Sequence, residues 1–179
     1  MRVVAGTARG VPLAVPRDRA TRPITDRVKE TLFAILGERV PGARVLDLYA
    51  GSGAVGIEAL SRGADAVDFV ERSRGAIGVL RANLERTHLA DRARVHALDV
   101  ERFLDAGGGP WDLVVADPPY EAHAIVAPLR AAAQRLEPGG VLVLKHFWRS
   151  EPPEIPGLAT VRRRRFGETM LTFMEATDE

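Results

Sequence analysis

The sequence predicts a doubly wound α/β fold, with a mostly parallel sheet and an antiparallel edge, on three observations. From residue 44 onward, short continuous apolar runs alternate with helical segments. The first of these runs feeds a glycine-rich turn, and the last two are separated only by Gly167-Glu168. Continuous apolar strands between helices belong to a parallel sheet covered on both faces. Two runs joined by a two-residue turn are antiparallel neighbours.

Each element has its own warrant in chain order. Residues 2–15 alternate as a short hairpin around Thr7-Ala8-Arg9-Gly10. Pro12 and Pro16 donate no ladder hydrogen bond, so the second arm is confined to an edge. Residues 17–25 are a basic connector. A helix begins at Thr25 or Asp26, carries Val28, Leu32, Ile35 and Leu36 at helical spacing, and stops near Gly37. After Pro41-Gly42, strands are expected over 44–49, 66–71, 94–99, 112–116 and 141–144. Helices are expected over 54–62, 73–87, 100–105 and 123–136, and closing strands over 160–166 and 169–175.

The chain of 179 residues has room for one sizeable core, burying on the order of 70% of its unfolded surface. One domain is therefore expected over 1–179, with 1–24 as a basic hairpin and arm and 25–179 as the core. There is no cysteine, which excludes a disulfide scaffold, a thiol nucleophile, an iron–sulfur cluster and thiolate zinc. No histidine pair has metal-ligand spacing, so no metal is expected; His88 and His96 read as surface positions, and His123 follows a candidate substrate loop. No apolar run approaches the roughly 20 residues of a membrane span, and the first residues lack a signal-peptide apolar region. A cytoplasmic monomer is the expectation.

The formal net charge is +1, but it is unevenly spread. Arg2, Arg9, Arg17, Arg19, Arg22, Arg27 and Lys29 crowd the front of the chain against Asp18, Asp26 and Glu30. A basic front on a mildly acidic body points to an anionic partner at one edge. Arg162 to Arg165 form a second run, readable as a phosphate contact or as a charged edge that discourages strand pairing.

In such sheets ligands bind beyond the carboxyl ends of the strands. The first strand leads from Asp47 into Gly51-Ser52-Gly53-Ala54-Val55-Gly56, a loop whose glycines allow close backbone approach to a ligand. That loop also describes dinucleotide sites, and the flanking acids decide between them. Asp47 at the strand end would repel a pyrophosphate and suit an ammonium and a sulfonium, hence S-adenosylmethionine. Glu71 ends the second strand in reach of ribose hydroxyls. Asp99 ends the third, in reach of an adenine amine.

The fourth strand ends in Asp117-Pro118-Pro119-Tyr120. Two prolines hold this loop rigid and extended, directing the Asp117 carboxylate and the Pro118 carbonyl to one point. Two converging acceptors suit the N–H groups of a planar exocyclic amine, and Tyr120 offers a face on which a base stacks.

LDLYAGSGAVGIEALSRGA with a downstream DPPY resembles class I, Rossmann-like methyltransferases that act on exocyclic amines of bases. RPITDRVKETLFAIL and the opening RVVAGTARGVPL are similar to one family in particular, the bacterial 16S ribosomal RNA guanine-N2 methyltransferases that modify guanine 966 of the small subunit. The resemblance covers nearly the whole chain. It implies a 16S rRNA partner, within the small subunit or an assembly intermediate. It places Asp47, Gly51, Ser52, Gly53, Glu71, Arg72, Asp99, Val100 and Asp117 around S-adenosylmethionine. Asp117, Pro118 and Tyr120 would face the guanine, and Arg2, Arg9, Arg17, Arg19 and Arg22 would hold RNA. Thr25, Asp26 and Arg27 would cover the methionine end of the cofactor. Relatives often carry an acid at the end of the fifth strand, where this chain has Lys145-His146-Phe147-Trp148.

Other readings stay open at this point. DPPY also serves DNA amino methylation of adenine N6 or cytosine N4, although 179 residues leave no room for a target-recognition domain. Protein-glutamine methyltransferases have a similar layout but usually carry Asn at the 117 position. A non-catalytic RNA-binding assembly factor is the reading from another class, opposed by the intact acids and glycines.

Overall fold

The computed structural model describes residues 1–17, 22–119 and 124–177. Thr25 opens the first helix, α1 (Asp26–Leu36), its Oγ1 accepting from the Val28 amide at 3.3 Å. Asp26 adds an acid in the first turn, where it complements the helix dipole. Gly37, at φ 50°, closes α1.

The strand–helix alternation then runs β1 (Arg44–Leu48), α2 (Ala54–Ser61), β2 (Ala66–Val70), α3 (Arg74–Arg86), β3 (Ala93–His96), α4 (Val100–Asp105), β4 (Trp111–Ala116), α5 (Val126–Ala133) and β5 (Leu136–Phe147). The chain closes with β6 (Leu158–Phe166) and β7 (Thr169–Ala176). All seven strands form one sheet in the order β3-β2-β1-β4-β5-β7-β6. The first five are mutually parallel, and β7 pairs antiparallel to both β5 and β6. This is the Rossmann-like α/β sheet with an antiparallel edge that the alternation predicts.

The sheet divides the core into two layers. On one face Val45, Leu113, Val115 and Val143 pack with Leu32 of α1, Ile57 of α2 and Leu80 of α3. On the other, Leu46, Leu48, Val114 and Leu142 pack with Leu104 of α4 and Leu129 of α5. Successive residues of each strand therefore serve opposite layers.

Several boundaries differ from expectation. Tyr49 is not a strand residue: it takes φ 60° and turns the chain out of β1. β3 stops at His96, and Asp99 is instead the N-cap position of α4. β5 starts earlier, because Leu136 pairs with Trp111 before a register shift around Pro138-Gly139-Gly140. The helix expected from residue 123 is described only from Val126, and His123 lies outside the described residues.

The N-terminal hairpin forms as expected but is short: Arg2 and Pro12 make one antiparallel bridge, and three backbone bonds cross the arms, Val3 to the Val11 carbonyl at 3.0 Å, Gly10 to the Val3 carbonyl at 2.8 Å and Leu13 to the Met1 carbonyl at 2.9 Å. Three of its amides instead go to side chains of α2. Val4 and Ala5 donate to the Glu58 carboxylate at 2.8 and 3.1 Å, and Ala8 donates to Ser61 Oγ at 2.9 Å. Glu58 is fully buried and also meets fully buried Lys29 at 3.2 Å, and Lys29 donates to the Arg2 carbonyl. Residues 1–15 are thus part of the core, with Val3, Ala8 and Leu13 buried. The carboxylate of α2 takes two hairpin amides that the ladder leaves over.

Candidate active site

The carboxyl ends of β1 and β4 meet at one cavity of about 640 Å³, within the range of small-molecule sites. Its floor is Asp47, Tyr49, Ala50, Gly51, Ser52 and Asp117. Val15, Pro16, Arg17, Arg22, Pro23 and Ile24 wall it from the N-terminal side. A connector that reads as a free basic arm therefore contributes one side of the pocket.

The loop after β1 is shaped by left-handed backbone. Tyr49, Gly51 and Gly53 have φ of 60°, 56° and 79°. The two glycines differ in what they leave open. A Cβ on Gly53 would lie 2.1 Å from Leu80 Cδ1, so packing against α3 requires glycine there; a Cβ on Gly51 would meet nothing within 4 Å. Tyr49 carries a side chain in this conformation at a cost of roughly 1–3 kcal/mol. Its phenol is pushed up to about 12, first by burial and then by the Glu101 charge, with Arg72 opposing.

Hydrogen bonds hold the loop in place. The Gly51 amide donates to Glu71 Oε2 at 2.8 Å, and the Gly56 amide donates to Asp47 Oδ2 at 3.0 Å. Buried Asn83 of α3 donates from Nδ2 to the carbonyls of Ser52 and Ala14, both at 3.0 Å, and its Oδ1 accepts from the Ala14 amide. One amide side chain thus ties the glycine loop to the N-terminal wall. Sequence reasoning missed it, since an Asn inside a helical pattern carries no signal of its partners.

The site is electrostatically loaded. Burial pushes the Asp47 carboxyl well above the usual carboxylate range, and the charges of Asp117 and Glu71 push it further, with the Gly56 amide opposing. Burial also raises Asp117, against the charge and hydrogen bond of Lys145. Lys145 Nζ lies 3.0 Å from each Asp117 oxygen. The pairing follows from register: Ala116 is opposite Leu144, so Asp117 and Lys145 are the next cross-strand neighbours on the same face. Three carboxylates around a partly apolar cavity favour a ligand that carries positive charge, and the open Cβ direction at Gly51 leaves backbone exposed to it. S-adenosylmethionine, with an ammonium and a sulfonium, fits that donor set.

Of the residues singled out in the sequence, Asp47, Gly51, Ser52 and Asp117 line the cavity, and Glu71 is one hydrogen bond away. Gly53 caps α2, while Val100 is buried in the opposite layer with Phe103 and Leu104. Arg72 and Asp99 form an exposed pair at 3.5 Å beside Glu71, away from the cavity lining. Pro118 is buried behind Asp117. Tyr120 and Arg19 lie outside the described residues. Thr25 and Asp26 serve α1 and Arg2, whose backbone amide donates to Asp26 at 3.2 Å; it is Pro23 and Ile24 that reach the cavity.

The basic residues separate. Arg9 follows the turn held by Ser61, at the end of α2 remote from the glycine loop, whereas Arg17 and Arg22 line the cavity. His96 is not a plain surface residue: its Nε2 meets Asp68 at 2.8 Å, and Trp111 Nε1 donates to the same carboxylate at 2.9 Å. Among the described residues, no group of acids and histidines has the makings of a metal site, and no helix is long and apolar enough to cross a membrane.

The family model "conserved hypothetical protein 95" matches residues 1–175. YlbH of Bacillus subtilis, provisionally named an rRNA methyltransferase, is 39% identical over 175 residues, covering 94% of this chain and 95% of that protein. The ribosomal RNA small subunit methyltransferase D of Escherichia coli is 42% identical over 120 residues, 67% of this chain and 60% of that protein. The solved structure of yhhF from Escherichia coli, provisionally titled a methyltransferase, superposes with a TM-score of 0.90 at 31% identity, covering 100% of this chain and 99% of that one.

Proposed function

Because the chain belongs to the conserved hypothetical protein 95 family, alongside the small subunit rRNA methyltransferase D proteins, we propose that it methylates the exocyclic N2 amine of a guanine in 16S rRNA, using S-adenosylmethionine. The observation that carries this reading is the meeting of Asp47, the glycine loop and Asp117 in one cavity whose wall includes Arg17 and Arg22. The first two suit a cationic small molecule, the third a hydrogen-bond donor, and the arginines an anionic polymer.

S-adenosylmethionine, when bound, supplies an electrophilic methyl group. Asp47, Gly51, Ser52, Gly53 and Glu71 would hold it, with Arg72, Asp99 and Val100 behind them. The guanine amine is a weak nucleophile because its lone pair is delocalised into the ring. Asp117 and the Pro118 carbonyl accept its two N–H groups and so favour a more pyramidal nitrogen, with Tyr120 stacking on the base. The Lys145 ammonium, 3.0 Å from both oxygens, aims the Asp117 carboxylate and opposes the upward push of burial on its carboxyl. Asp117 then takes the proton shed after transfer. Orientation and electrostatics supply the acceleration, with no covalent intermediate.

The base must leave its stack to enter the cavity, which costs least from a loop or single strand. A small ribosomal subunit or an assembly intermediate presents such a base, and folded RNA would then supply the target specificity.

Titration with S-adenosylmethionine tests the division of roles. Wild type and Asp117→Ala are expected to bind it equally, within about threefold, while transfer to 16S RNA falls by about 10²–10³ in the variant. Equal turnover by the variant would overturn the mechanism.

A further inference from the structure

Arg162 to Arg165 read as one run in the sequence, but the sheet separates them. Arg162 and Arg164 pair with Phe173 and Leu171, on the face that packs α1. Arg163 and Arg165 pair with Thr172 and Met170 and belong to the opposite face. Arg163 meets Glu151 at 3.2 Å. Arg165 is held differently: its guanidinium carbon lies 3.6 Å from the centroid of the Trp148 ring, and its Nε donates to the Gly167 carbonyl at 2.7 Å. Arg149 stands 4.8 Å from the same ring. Both arginines are exposed and Trp148 is half-buried.

This group sits at the catalytic end of the sheet. β5 and β6 run in the same direction, and their last residues, Phe147 and Phe166, both pair with Thr169 at the start of β7. Asp117 follows the carboxyl end of β4 on that same edge. A chain of contacts joins the group to the cavity: the Trp148 amide donates to the Glu168 carbonyl at 2.9 Å, and the Glu168 carboxylate meets Arg22, a cavity residue, at 3.7 Å. Glu168 and Arg22 offset each other, and Arg17, Arg149 and Arg165 supply the positive charge along this edge.

We propose that Arg149 and Arg165, ordered on the ring of Trp148, clamp the phosphodiester backbone of the RNA strand that carries the target nucleotide. A guanidinium laid on an aromatic face is oriented before its ligand arrives, so less rotamer freedom is lost when its planar fork meets a phosphate. The placement suits a strand that descends across the end of β6 and delivers one base past Arg22 towards Asp117. Arg162 and Arg164 lie on the face of α1 and Lys145, away from the Trp148 ring, and are not part of this clamp.

The proposal rests on the RNA reading above, and the test separates the two. Unmodified, protein-free 16S RNA and small subunits lacking the modification are each titrated at 50–300 mM salt with wild type, R149A/R165A, R149Q/R165Q and W148L, and wild-type methyl transfer to both is measured in parallel. Each single-strand phosphate contact contributes about 0.7 to the log–log salt slope. Both double variants are expected to lose about 1.4 from that slope, with affinity about tenfold weaker at 100 mM salt and S-adenosylmethionine affinity within twofold of wild type. W148L, which keeps both charges but loses their ordering, is expected to bind about threefold more weakly at a nearly unchanged slope. An unchanged slope and affinity in both double variants would overturn the clamp. So would a loss seen only on assembled subunits, which would assign the arginines to a ribosomal protein. Absence of transfer by wild type to both RNA and subunits would overturn the RNA reading itself, and the clamp with it.

Discussion

Lys145 Nζ stands 3.0 Å from each carboxylate oxygen of Asp117, joining the ends of two adjacent parallel strands at the floor of the cavity. Burial raises the carboxyl, and the ammonium is what opposes it. Replacing Lys145 by Met removes that opposition, so the Asp117 carboxyl rises further. In the proposed mechanism turnover needs the ionised carboxylate and is lost as pH falls through its pKa. The acid limb of kcat against pH is therefore expected to move to higher pH in Lys145→Met, with kcat at neutral pH about tenfold lower. An acid limb at the wild-type position would separate Lys145 from the chemistry.

The buried Asp47 carboxyl costs stability, which the proposed function sets against cofactor binding. Its carboxyl is raised by burial and by the charges of Asp117 and Glu71. A group raised in the folded state contributes stability that is complete below its unfolded pKa and is lost as pH climbs through the folded value. Asn keeps an acceptor for the Gly56 amide and carries no charge. Asp47→Asn is therefore expected to melt higher than wild type at pH 8, with the advantage shrinking towards pH 5. Its S-adenosylmethionine affinity is expected to fall at least tenfold. Scanning calorimetry across pH, without cofactor, checks the sign.

The two glycines of the loop predict opposite kinds of failure. Gly53→Ala sets a methyl 2.1 Å from Leu80 Cδ1 at a left-handed position, which costs about 3 kcal/mol or more. Gly51→Ala meets open space and costs only the backbone strain of roughly 1–2 kcal/mol, while in the proposed cofactor site its methyl would intrude on the ligand. Thermal melts are expected to single out the first and cofactor titration the second.

Removal of residues 1–14 is expected to damage the fold rather than only RNA affinity. The fully buried Lys29 and Glu58 would lose the Arg2 carbonyl and the Val4 and Ala5 amides. The Lys29–Glu58 pair itself remains, and the loss of three hydrogen bonds to its charged groups costs about 3–5 kcal/mol, or on the order of 10 °C in Tm for a chain of this size. Calorimetry of the truncated chain decides; an unchanged Tm would mean that the hairpin adds nothing to the core.

What was legible in the sequence is what local pattern encodes. Apolar runs and their spacing located every strand of the sheet, and the turn residues after β1 and β4 located the site, because Asp47, Gly51 and Asp117 each sit where a strand meets a loop. Partners joined through the sheet were not legible. Lys145 meets Asp117 through the β4–β5 register across 28 residues of chain, so in the sequence it reads only as a departure from the acid usual there. Arg17 and Arg22 read as a basic arm because composition says nothing of the Asn83 amide that draws Ala14 against the glycine loop. Tyr49 read as strand because its left-handed turn is imposed by the loop that follows. The hairpin that alternation predicted is present, but its anchoring on the buried Glu58 carboxylate, across 53–54 residues of chain, carries no local signal.

The central claim is tested most directly by labelled methyl transfer from S-adenosylmethionine to 16S RNA and to small subunits lacking the modification, followed by nucleoside mapping. The expected product is a single N2-methylguanosine, absent with Asp117→Ala. Label recovered in N6-methyladenosine or in protein, or no label in either substrate, would contradict it.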